Sequence, residues 1–395
     1  MRIVITGVGA LSPLGVGVTA LWEGLLAGRH GIRPVTTFDA SGYDVQMGGE
    51  VPGFEPADTM PPEVAARFGR TTQFAIAASR MAVEDAGLND PGTWAGAGLC
   101  LGTTMGEVQE LEAACAGQEG RLRRYPVSQI GAGVAEVLGL SGPNTVIPTA
   151  CAAGNYSIGH AVDLLRDGRA LMMLAGGVDV MAEIQYVGFQ RLRSMAPDVP
   201  RPFSAGREGM MVSEGAGVLV LEPLDTAIAR GARIYAEVLG YGLSCDAHHM
   251  TAPHPDGAGA YAAMTAALQD AGLTPEKISY VNAHGTGTPA NDRIETLAIK
   301  RLLGDHAQRV PVTSIKAMLG HTMGAASALE AVVTALIVHH GIIPPTTNYL
   351  GPDPDCDLDY VIDGPRQKGV AVALSNSYAF GGNNASLVVG CPPGR

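Results

Sequence analysis

Two stretches of the chain carry a helix-like pattern of apolar and polar positions, Thr71 to Ala86 and Ala258 to Ala271. The first closes on Asp85-Ala86-Gly87-Leu88 and the second on Asp270-Ala271-Gly272-Leu273, an offset of 270 − 85 = 185 residues. A β-like run leading to Gly-Thr follows each: Leu99-Cys100-Leu101-Gly102-Thr103 in one case, Tyr280-Val281-Asn282-Ala283-His284-Gly285-Thr286 in the other. Each half then offers a strand that feeds a small-residue helix. One strand, Thr145-Val146-Ile147-Pro148-Thr149, leads through Cys151 into the apolar run Ile158 to Leu165; the other passes through Ser314-Ile315-Lys316 to Gly324-Ala325-Ala326. This repeated order predicts two similar α/β halves packed together, residues 1–240 and 241–395. The loop-like segment Arg201 to Gly209 leads into a predicted strand, Ala216 to Leu221, and no low-complexity linker separates the halves.

At the N-terminus, Ile3 to Gly9 reads as a strand entering a glycine turn. The third glycine of a dinucleotide fingerprint is missing, with Ser12 in its place, and Pro13 interrupts the helix such a fingerprint needs. A Rossmann cofactor site is rejected.

Composition narrows the class. Hydrophobic residues make up 46% and charged residues 16%, the balance of a tightly packed α/β protein rather than a disordered chain. With 53 glycines and only 5% aromatics, packing must rely on small side chains and close backbones. A formal net charge of −12 argues against a nucleic-acid binder. The six cysteines (Cys100, Cys115, Cys151, Cys245, Cys356, Cys391) are scattered without CxxC pairs, which predicts reduced thiols and a cytoplasmic protein. The N-terminus has no long apolar signal region, and the apolar run Ala331 to Val338 is too short to span a bilayer, so no membrane association is expected.

Chemistry concentrates at the predicted strand ends. Cys151 stands where a strand turns into a helix, and a thiol there meets unpaired backbone N–H groups and the positive end of the helix dipole. Both favour thiolate, as a nucleophile requires. A buried structural cysteine is the plain alternative. Three Gly-rich segments surround further ionisable residues: His284-Gly285-Thr286-Gly287-Thr288-Pro289, Ser314 to His321 followed by a helix bearing Glu330, and Ser375 to Asn384. Any one of them could be only a tight turn. Cys245, His248, His249 and His254 could suggest a metal cluster, but Pro253 and Pro255 suit a turn, and no metal is expected.

Taken in order, Thr149-Ala150-Cys151, Pro202-Phe203, Glu214 to Gly217, His249-Met250-Thr251, His284 to Pro289, Asn291-Asp292 with Glu295, Lys316 with Gly320-His321, and Phe380-Gly381-Gly382 resemble the β-ketoacyl-acyl carrier protein synthases of the thiolase superfamily. The resemblance is to the elongating, KAS II-like branch and spans essentially the whole chain. It implies an α/β, thiolase-like fold: a duplicated five-layered αβαβα sandwich. It also implies a decarboxylative Claisen condensation. Cys151 would be acylated, His284 and His321 would act on the malonyl group, and Lys316 and Glu330 would organise them. Thr286 and Thr288 would bind pantetheine. Phe380 would gate the site and share an oxyanion hole with Cys151. No cofactor is implied beyond the phosphopantetheine of the acyl carrier protein, whose docking would use Arg67, Arg124 and Arg191, with Arg121, Arg123, Arg70 and Arg193 nearby in sequence.

The chain departs from the pattern of this resemblance at two places. Met105-Gly106-Glu107-Val108-Gln109-Glu110-Leu111 is more polar than an acyl-pocket lining should be, and two alanines follow Cys151 where Thr-Ser is usual. The expected role is therefore chain elongation in fatty acid or type II polyketide or polyene synthesis, the departures favouring the latter, as a homodimer or as a heterodimer with a chain-length-factor-like subunit. A non-condensing acyltransferase or scaffold and a papain-like Cys–His protease are the alternatives; His321 and Lys316 have no place in the protease.

Overall fold

The structure is a computed structural model that describes residues 1–392. The strands that matter are β1 (Ile3–Ser12), β2 (Gly98–Thr103), β3 (Asn144–Pro148), β4 (Met173–Asp179), β5 (Gly215–Pro223), β6 (Ala236–Cys245), β7 (Tyr280–Asn282), β8 (Pro311–Thr313), β9 (Val372–Tyr378) and β10 (Asn383–Gly390). The helices are α1 (Arg70–Asp85), α2 (Val108–Cys115), α3 (Ser128–Leu138), α4 (Ala153–Arg166), α5 (Glu183–Arg191), α6 (Ala258–Ala271), α7 (Pro289–Leu303) and α8 (Ala326–His340).

Strand order in the first half is β3-β2-β4-β5-β1, and in the second β8-β7-β9-β10-β6. Counted from the first strand of each half, the two orders are identical. So are the directions: the first two pairings are parallel and the last two antiparallel in both halves. The halves join edge to edge through three residue pairs, Ile3↔Val238, Val4↔Glu237 and Ile5↔Ala236. The expected division at 240/241 therefore runs through β6, the first strand of the second half. The Asp-Ala-Gly-Leu match is a pair of helix C-caps. Gly87 and Gly272 adopt φ of +70° and +63°, and Leu88 and Leu273 close back on the carbonyls of Val83 and Leu268.

Five layers result. α1 and α3 cover one face of the first sheet, where Phe74, Ile76 and Val134 meet Leu99, Leu101 and Val218. α6 and α7 cover the far face of the second sheet, packing Met264 and Ile299 on Val281 and Leu374. Between the sheets lie α4 and α8, with Ile158, Val162, Val332 and Leu336 in one core with Cys100, Ala175, Ala373 and Leu387. Every side chain from Ala326 to Val338 is buried, as a helix packed on all sides requires. Residues 323–340 are long and apolar enough to cross a bilayer, but 89% of them are enclosed by the protein.

β1 corrects the expected glycine turn: it continues through Gly7 and Gly9 to Ser12. The glycines let α1 approach. A Cβ on Gly9 would lie 2.0 Å from the carbonyl oxygen of Ala78, and one on Gly7 2.2 Å from that of Ala82.

Candidate active site

β3 ends at Pro148, and the chain reaches α4 through a tight turn over Ala150–Ala152. Ala150 is held at φ +50°, a left-handed conformation costing an L-residue about 1–2 kcal/mol. That turn presents Cys151, buried, with the backbone N–H groups of Phe380 and of Cys151 itself facing its sulfur. Ser377 of β9 donates its hydroxyl to the Cys151 carbonyl at 2.9 Å and ties the turn to the second half. Burial pushes the thiol up to about 12, against the opposing charge of Lys316. The helix terminus and Lys316 favour the thiolate, but burial is the larger effect and favours the thiol.

His284 sits just beyond β7. Its N–H and that of Gly285 donate to the two carboxylate oxygens of Glu295 on α7, each at 2.8 Å. Lys316 Nζ lies 3.4 Å from His284 Nδ1 and is ion-paired with Glu330 of α8. Burial raises Glu330 to about 7 against the pull of Lys316. His321 receives the Met323 N–H on Nδ1 at 3.2 Å, so its proton resides on Nε2, which is enclosed and has no protein partner. Met323 is itself held at φ +52°. The two imidazoles stand edge to face with centroids 5.4 Å apart. Burial first, and the charge of Lys316 next, lower both rings well below the ordinary histidine value, so both are neutral donors near pH 7.

Cys151, His284 and His321 line one cleft of about 800 Å³, its open mouth included, together with Thr286, Thr288 and Phe380. The two threonine hydroxyls are 2.9 Å apart. Phe380 is 37% exposed and packs against Phe189 of α5 at 5.7 Å between centroids, which places it at the mouth. Arg191 is exposed at the end of that same helix. Arg67 instead pairs with Glu136 at 2.7 Å, and Arg124, half-buried, donates to the Ala66 carbonyl at 2.8 Å. Arg121 and Arg70 brace the buried Glu110 and Glu214.

The polar segment after Thr104 does not line this cleft. Glu107 is buried against the start of α1, accepting the Thr71 and Thr72 N–H groups, and Gln109 donates to the Met181 carbonyl at 2.7 Å. His249 and His254 accept backbone N–H groups within their own turns. Three residues given no role by the sequence stand at the site. Glu295 and Asp292 secure the backbone of the His284 loop, and Asp292 also takes the Phe203 N–H at 2.8 Å. Their i, i+3 spacing on a helix directly after that loop was the available signal. Tyr378, beside His284, carried no signal beyond its place in the third Gly-rich segment.

Residues 1–227 match a family model described as Beta-ketoacyl synthase, N-terminal domain, and residues 235–350 match Beta-ketoacyl synthase, C-terminal domain. The chain is 43% identical over 403 residues to 3-oxoacyl-[acyl-carrier-protein] synthase 2 of Synechocystis sp., covering 98% of this chain and 97% of the relative. It is 40% identical over 404 residues to the protein of that name from Staphylococcus aureus, covering 98% of each. Among solved structures it is similar to the ishigamide ketosynthase/chain length factor, with TM-score 0.93, 43% identity and 99% of both chains covered. It is also similar to a type II PKS ketosynthase solved with its acyl-carrier protein and bound to the hexaketide, with TM-score 0.91, 31% identity and 99% of both chains covered.

Proposed function

The chain belongs to the β-ketoacyl synthase family, and from that premise we propose that Cys151, His284 and His321 carry its condensation, with Lys316 and Glu330 ordering the histidines. It is a ketoacyl-acyl carrier protein synthase of fatty acid or polyketide elongation, on a thiolase-like fold. In the first stage the Cys151 sulfur attacks an acyl thioester. A new C–S bond forms, the carrier's C–S bond breaks, and the thiol proton passes to the departing pantetheine sulfur. The N–H groups of Cys151 and Phe380 face the place where the oxyanion develops.

In the second stage a malonyl thioester loses CO2. The C–C pair becomes an enolate, whose oxygen needs hydrogen-bond donors rather than a base. Two neutral imidazoles in a dry cleft supply them. The enolate carbon bonds to the acyl carbon, the C–S bond to Cys151 breaks, and the sulfur regains one proton from solvent. The observation that carries this reading is the enclosed, unpartnered Nε2–H of His321 beside neutral His284.

The partners and setting are inferred on the same basis. An acyl carrier protein would deliver both substrates on phosphopantetheine, held by Thr286 and Thr288 past Phe380, with no other cofactor. Arg191, exposed at the end of the helix that carries Phe189, would meet the acidic carrier, with Arg67 and Arg124 as outlying contacts. β3 lies at the sheet edge, and its residues, two of them exposed and three half-buried, lead straight to Cys151. A second subunit would pair there, as a copy of this chain or as a chain-length-factor-like protein; the neighbour named as a ketosynthase/chain length factor favours the latter. Free cysteines fit a cytoplasmic setting. The test is incubation with acyl- and malonyl-carrier proteins followed by mass spectrometry. Acylated Cys151 and a CO2-linked extension are expected; acylation without extension would leave a simple acyltransferase.

A further inference from the structure

Among the described residues, the cleft is lined by two whose buried side chains end in a polar atom without a protein partner: Nε2 of His321 and the hydroxyl of Tyr378. An enclosed polar atom left unpaired costs about 1–3 kcal/mol unless something arrives to pair with it. For His321 that arrival is the substrate. Tyr378, the last residue of β9, is 8% exposed, and its ring meets His284 edge to face at 5.7 Å. His321, His284 and Tyr378 thus line the same cleft, with Tyr378 at the boundary between it and a small second cavity shared with Asp246 and Glu295.

We propose that Tyr378 is a substrate-binding residue whose O–H donates a hydrogen bond to an oxygen of the malonyl unit, fixing the extender beside the two histidines. The phenol suits that task. Burial, together with the charges of Glu295 and Asp246, holds it well above the ordinary phenol range, so it remains a donor at any working pH. A malonyl thioester has three acceptor oxygens, more than two imidazoles can pair. The acyl group on Cys151 has one, which the N–H groups of Cys151 and Phe380 already face. The role therefore belongs to the second substrate and not the first. This inference rests on the reaction proposed above.

The test is Tyr378→Phe, which keeps the ring and removes only the hydroxyl. In the active assembly, KM for malonyl-carrier protein should rise roughly 5- to 20-fold, the loss of one hydrogen bond. The rate of Cys151 acylation should stay within about twofold, and the melting temperature should hold or rise, since an unpaired buried hydroxyl is gone. An unchanged KM, an equal loss in acylation, or a lowered melting temperature with both half-reactions impaired would overturn the proposal. Wild-type protein run alongside separates the two claims. If it makes no β-ketoacyl product, the reaction falls and the role of Tyr378 with it. If it does and the variant matches it, only the role of Tyr378 falls.

Discussion

The ammonium of Lys316 lies 3.4 Å from Nδ1 of His284 while pairing with Glu330 on its other side. One cation thereby decides which imidazole nitrogen carries the proton and adds to burial, the larger effect, in keeping the ring neutral. Replacing Lys316 with Met should lower condensation by on the order of 10²–10³ and leave Cys151 able to accept an acyl group. It should also destabilise the fold by about 3–5 kcal/mol, because Glu330 is left buried without its partner. Lys316→Met with Glu330→Gln should recover much of the melting temperature and none of the turnover. Recovery of both would remove the assigned role.

His321→Ala deletes the unpartnered donor. Decarboxylation of a malonyl thioester by the acylated enzyme should fall by on the order of 10²–10³. Burst acylation of Cys151, followed by mass spectrometry, should persist. Loss of acylation to the same degree would place His321 in the first stage instead.

The thiol of Cys151 is raised to about 12, above its ordinary value of 9.0. Below a raised pKa the thiolate fraction grows tenfold per pH unit, so alkylation by iodoacetamide should climb about tenfold per unit from pH 7 to 9 without levelling. A plateau below pH 8 would mean that the N-terminus of α4 outweighs desolvation after all.

Arg191→Glu, at the exposed end of the helix that carries Phe189, should raise KM for carrier-bound substrates several-fold, with an effect that shrinks as salt increases. Turnover of a small thioester mimic should be unaffected. Arg67→Glu should act more weakly, because Arg67 already pairs with Glu136. Equal loss on both substrate types for Arg191→Glu would count against docking.

Much of this was legible in the chain. The order of helix-like and strand-like segments disclosed the duplication, and Cys151, His284 and His321 line one cleft with Lys316 beside His284. What escaped depended on tertiary neighbours. Gly7 and Gly9 look like a turn until α1 is seen pressed against them. Glu107 and Glu110 look like a polar pocket until one serves the start of α1 and the other holds Arg121. The state of Cys151 turned on burial, which no local pattern reports. Glu295 and Tyr378 meet the site only after the second half folds.

Gly154 of α4 stands where an added Cβ would come within 2.6 Å of the Ala328 nitrogen of α8. The helix launched by the nucleophile and the helix bearing Glu330 are thus seated almost backbone on backbone, with only the Ser327 hydroxyl and the Ala328 methyl in the seam. Enlarging that seam would wedge apart everything the reaction centre requires at once. A change of product length is therefore expected to be tolerated at the periphery of the cleft and its assembly surfaces rather than at this seam.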